Sequence, residues 1–62
     1  MISLYDLGTI LECLVLYENT MAEAAVSALT EDSRSRYTGI ANDIGRAIKA
    51  VKAEQARLEK SI

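Results

Sequence analysis

Two runs of apolar residues at helical spacing leave this chain little choice of fold. Leu7, Ile10, Leu11, Leu14, Tyr17, Met21, Ala24, Ala25 and Ala28 recur every third or fourth position, and Tyr37, Ile40, Ala41, Ile44, Ala47, Ile48 and Val51 repeat the pattern. A period near 3.6 puts each set on one face of an amphipathic helix. The run Ile10 to Tyr17 is apolar enough for a buried strand, but the helical period continues on both sides of it, so the helix wins. The reading is all-α: helix one over about 4–28, helix two over about 31–59, forming one hairpin domain spanning 1–62. Each stripe is about three positions wide per heptad, more than a two-stranded seam needs, so each helix expects more than one neighbour. An antiparallel hairpin that assembles into a four-helix bundle as a homodimer meets that demand.

Local signals place the ends. Ser3-Leu-Tyr-Asp6 has the form of a capping box, with an acid where the helix dipole favours it. No proline occurs, and Gly8 is the one strong weakener before Gly39, so helix one runs to the polar cluster Thr30-Glu-Asp-Ser33. Thr30 or Ser33 serves as the second N-cap, Glu31 and Asp32 suit the first turn, and Arg34 and Arg36 follow at pairing distance. A tight turn then opposes positions whose numbers sum to roughly 65, which sets Ala28 against Tyr37 and Leu14 against Val51, large against small near the turn.

Size sets the next constraint. A 62-residue chain buries a small share of its surface and needs a staple. Cys13 is the lone cysteine and histidine is absent, so neither an internal disulfide nor a structural zinc site can be built. Oligomerisation or a partner remains. The longest uncharged apolar run, Cys13 to Tyr17, is far short of the roughly 18 residues that span a bilayer, and the first residues lack a basic leader-like run. The expectation is a cytoplasmic protein with no membrane partner.

Net charge is −2, yet all 7 basic residues lie after residue 33, whereas residues 1–30 carry Asp6, Glu12, Glu18, Glu23 and no cation. Helix one is acidic and helix two net basic. The asymmetry helps choose a register and adds little stability, since exposed pairs contribute about 0–1 kcal/mol.

Candidate sites follow. Leu7, Leu11, Leu14, Tyr17, Met21, Ile40, Ile44, Ile48 and Val51 are the expected self-association core. Ile2, Tyr5, Val15, Leu16, Val26 and Leu29 fall off the stripe and need another cover. Tyr5, Leu16 and Val26, with Gly39 and Gly45 on helix two, are the candidate partner interface; glycines inside a helix invite close approach. Arg46, Lys49, Lys52 and Lys60 are candidate contacts for nucleic acid or an acidic partner, without interleaved aromatics to stack a base. Glu18 is the one charge inside the first stripe, expected near Ala47 and Ile48 as an ion pair or a partly solvated edge residue. Cys13 is expected to pack.

No nucleophile, histidine base or phosphate-cradling glycine loop accompanies the carboxylates, so neither catalysis nor a bound metal or cofactor is expected. In length and plan the chain resembles the RNA-binding Rop bundle, in architecture alone. The leading expectation is a small protein-interaction module, a regulator, adaptor or inhibitor, that also self-associates. A Rop-like RNA- or DNA-binding bundle and a structural subunit of a larger assembly are the alternatives.

Overall fold

The computed structural model describes residues 2–61 and contains two helices, α1 (Leu4–Ser27) and α2 (Glu31–Lys60). They lie antiparallel in a rod measuring 49 × 15 × 15 Å. Among the described residues there are no strands, as the 3.6-residue period requires.

Each helix begins where a hydroxyl can satisfy a free N–H. The Ser3 hydroxyl accepts from the Asp6 N–H at 3.1 Å, and the Thr30 hydroxyl accepts from the Ser33 N–H at 3.1 Å. Thr30, rather than Ser33, is therefore the second N-cap. The chain leaves α1 without glycine or proline: Ala28 (φ −64°, ψ 135°) and Thr30 (φ −124°, ψ 155°) are extended. The Ala28 N–H still reaches the Ala25 carbonyl at 3.3 Å. What breaks the helix is the start of the next one, since Thr30, Glu31 and Asp32 are favourable at an N-terminus and indifferent in an interior.

The seam between the helices follows a heptad repeat, abcdefg. Leu4, Leu11, Glu18 and Ala25 occupy a positions of α1; Leu7, Leu14, Met21 and Ala28 occupy d. In α2, Ala41, Ile48 and Gln55 are a, and Tyr37, Ile44, Val51 and Leu58 are d. All of these are buried or half-buried. Antiparallel packing puts the e positions of both helices on one side of the seam, next to a, and the g positions on the other, next to d.

The register differs slightly from the sequence expectation. Gly8 faces Gln55 and Gly45 faces Glu18, about two residues short of the pairing inferred from a tight turn. Leu14 therefore lies level with Ile48 and Leu11 with Val51. The heptad decides this: only in that register do the a and d positions of both helices meet. Two further expectations are corrected. Cys13 is exposed rather than packed, because it falls at c, off the seam. Arg34 pairs with Glu31 at 3.5 Å, whereas Arg36 makes no ion pair among the described residues.

The core is thin. Among the described residues only Leu7, Ala25, Ile44 and Ile48 are buried, and no side chain is completely enclosed. The hairpin exposes 4742 Å², whereas a compact monomer of its mass would expose about 4,000 Å². A two-helix rod has no third layer to cover its flanks.

Candidate interaction surfaces

Two apolar surfaces survive on opposite flanks of the seam. The first is the outer flank of α1, built from its b, e and f positions. Tyr5 is 83% exposed, Leu16 68% and Val26 83%, with Val15 exposed beside them; Ile2 just before the helix and Leu29 in the connection after it, 100% exposed, are open as well. All six off-stripe residues expected from the sequence to need cover are thus open. Shallow depressions run along this flank, one lined by Leu11, Glu12, Val15 and Leu16, another by Ala22, Glu23, Val26 and Ser27. Spacings of 11 and 10 residues, each close to three helical turns, put Tyr5, Leu16 and Val26 on one side of α1.

The second surface is the g side, to which both helices contribute. Ile10 and Tyr17, both exposed, and the half-buried Ala24 come from α1; the half-buried Ile40 and Ala47 come from α2. Next to them every d residue is apolar. The a positions, on the other side, include Glu18 and Gln55. Polar seam residues thus gather toward the e side, while the g side is apolar over its middle and carries the half-buried Ser33 near the turn and the half-buried Glu54 toward the open end, where Arg57 pairs with it.

Of the proposed self-association core, Leu7, Ile44 and Ile48 are buried and Leu11, Leu14, Met21, Ile40 and Val51 are half-buried. Tyr17 stands at 50% exposure. It is on the flank of the seam rather than in it, because g lies beside d.

The two helix-two glycines are not brought together with Tyr5, Leu16 and Val26. Gly39 points from the back of α2 into open space, and a Cβ there would meet nothing within 4 Å. Gly45 has a local reason: a Cβ on it would stand 3.1 Å from Glu18 Oε2. The close approach that sequence reasoning sought at Gly45 is made by a carboxylate of the same chain.

Arg46, Lys49 and Lys52 line a groove with Glu18, Ala41, Asn42, Gly45 and Ile48, and Lys60 lies farther along the same flank of α2. Glu18 is half-buried with no cation in ion-pair contact among the described residues, so it is the solvated edge residue of the two alternatives. Arg46 is paired with Asp43 and Arg57 with Glu54. The hydrogen bond from Arg57 lowers the Glu54 carboxyl from its usual range and raises the Arg57 guanidinium. Arg57 is exposed and Glu54, at a g position, is half-buried; the pair spans one helical turn at the open end of α2.

Among the described residues no group of three or more acidic or thiol side chains converges as a metal site would require. No described helix is long and apolar enough to cross a membrane. No protein-family model, curated protein or solved structure matches the chain.

Proposed function

We propose that the chain is a small non-enzymatic protein-interaction module, acting as a regulator, adaptor or inhibitor, that self-associates and engages a larger protein through a helix face. The observation that carries this reading is the outer flank of α1, where Tyr5, Val15, Leu16 and Val26 stand open to solvent, with Leu29 open in the connection that follows. Apolar side chains scattered singly on a surface mean little; a row of them along one helix is the form in which an amphipathic helix meets a groove. Self-association through the seam or its g side leaves this flank uncovered, because it faces away from both. The basic flank of α2 favours nucleic acid less: Glu18 lies in the groove beside Lys49 and Lys52, and Asp43 neutralises Arg46.

The test is affinity capture from the native host with parent protein and with Leu16→Lys/Val26→Lys. A protein retained by the parent and lost with the variant, while the variant keeps its helicity and solution mass, supports the reading. Identical captured proteins from both, or none from the parent, overturn it.

A further inference from the structure

We propose that a second copy of this chain covers the g side of the hairpin, with α1 of one copy packed on α2 of the other and both turns at the same end of the bundle. The inference deepens the self-association proposed above and rests on it. Three observations select the occupant and its orientation. The first is area. The surface exposed in excess of a compact monomer, about 700–800 Å², matches the roughly 800 Å² that each partner gives to a standard interface. The second is polarity. Over its middle the g side is the flank on which both helices present apolar side chains and the neighbouring d residues are uniformly apolar, with Glu54 at the open end held by Arg57 of its own helix, whereas Glu18 and Gln55 interrupt the a/e side within the seam. A flat two-helix face that is apolar on both helices suits a copy of itself, since a two-fold axis brings the same patch from each side.

The third observation separates the two symmetric arrangements. With the axis parallel to the helices, α1 lies over α2 of the second copy at the height set by the hairpin's own register. Tyr17 then meets Ala47 of the second copy and Ala24 meets Ile40, large against small, while at the open end Ile10 meets the stem of Glu54, whose carboxylate is turned to Arg57 of its own helix. At the outer corners, the c positions, Asp6 meets Arg57 and Cys13 meets Ala50. With the axis perpendicular to the helices, α1 lies over α1: Tyr17 opposes its own copy, Ala47 opposes Ala47, and Arg36 opposes Arg57. The first arrangement pairs opposite charges and unequal volumes; the second pairs like with like on both counts.

The test has two parts. Light scattering on Tyr17→Lys and on its neighbour Leu16→Lys, which points to the other flank, reads the face. The parent is expected to have twice the chain mass, Leu16→Lys to keep it, and Tyr17→Lys to fall to half. A parent of any other mass, or a Tyr17→Lys protein that stays dimeric, overturns the proposal. Should Tyr17→Lys lose its helicity, the second part decides alone. Ala50→Cys, oxidised mildly, is expected to form a covalent dimer linking residue 13 of one chain to residue 50 of the other. Thr20→Cys supplies the competing link, from residue 13 to residue 20, that α1 over α1 would form. Cross-linking in Thr20→Cys but not Ala50→Cys, or in neither, refutes the arrangement. Loss of partner capture by Leu16→Lys/Val26→Lys with the dimer intact concerns the other flank, so the two proposals fail separately.

Discussion

The two helix-two glycines provide a calibrated comparison, because both sit in the interior of the same helix and only one has a neighbour. Alanine in place of a helix-interior glycine gains about 0.8–1.0 kcal/mol by restricting the unfolded backbone. At Gly39 the added methyl meets nothing within 4 Å, so Gly39→Ala should realise the whole gain. For a domain of this size about 1 kcal/mol corresponds to roughly 4–8 °C in melting temperature. At Gly45 the same gain is offset by the cost of moving Glu18 Oε2, which would lie 3.1 Å from the new Cβ. The carboxylate is the end of a flexible side chain, so Gly45→Ala should still fold and should rise less than Gly39→Ala. In a Glu18→Ala background the obstacle is gone, and Gly45→Ala should recover the full increment. The assay is thermal melting by circular dichroism at one fixed chain concentration, which holds any contribution of assembly to the midpoint constant, with the four Glu18/Gly45 combinations read as a cycle. If Gly39→Ala is neutral or destabilising, another backbone packs on the back of α2. If Gly45→Ala gains equally in both backgrounds, the carboxylate does not limit that position.

Other perturbations have defined signs. Thr30→Ala removes the oxygen that caps the Ser33 N–H and should cost about 1 kcal/mol, lowering the melting temperature with little change in helicity; an unchanged midpoint would show that the cap is replaced. Glu18→Leu replaces the charge at an a position with a side chain like its neighbours and should stabilise the helical assembly by about 1–2 kcal/mol, while allowing masses other than the parent's in light scattering, because the polar residue no longer disfavours alternative pairings; a lower midpoint would refute the seam placement. The Glu54–Arg57 pair has a sign in pH. Because Arg57 lowers the folded carboxyl, its small contribution is complete above the unfolded value near about 4.3 and fades as pH falls through the lower folded value. Parent and Glu54→Gln should therefore differ slightly at pH 7 and converge once the pH is below the lowered folded value; a gap persisting in strong acid would assign the effect to packing.

Much of the fold was legible because it rests on local rules. Ser3 and Thr30 mark both helix starts by an oxygen three residues ahead of an N–H, and the apolar period places α1 and α2 within a residue of their observed ends. The register was less legible. A tight-turn rule knows only where the chain reverses, whereas the pairing is set along the whole seam by two heptads meeting, and the extended residues at Ala28 and Thr30 accommodate that demand. Counting apolar positions likewise could not separate Tyr17 and Ile10 from the seam, since g stands beside d and differs from it by a rotation too small for a wide stripe to resolve.

That rotation is also what distinguishes the candidate surfaces. Leu16 and Tyr17 are adjacent in the chain, and each is at least half exposed, yet about 100° of helical turn sends them to opposite flanks. Tyr17 joins Ile10, Ala24, Ile40 and Ala47 on a face built by both helices, where the adjoining seam residues are apolar. Leu16 joins Tyr5 and Val26 on a face built by α1 alone. A face shared by two helices is flat and presents two ridges, the geometry a second hairpin completes. A face on one helix is convex and presents one ridge, the geometry a groove on a larger protein accepts. The thin core gives the two-helix face the larger area to gain from being covered, and covering it would leave the one-helix ridge open.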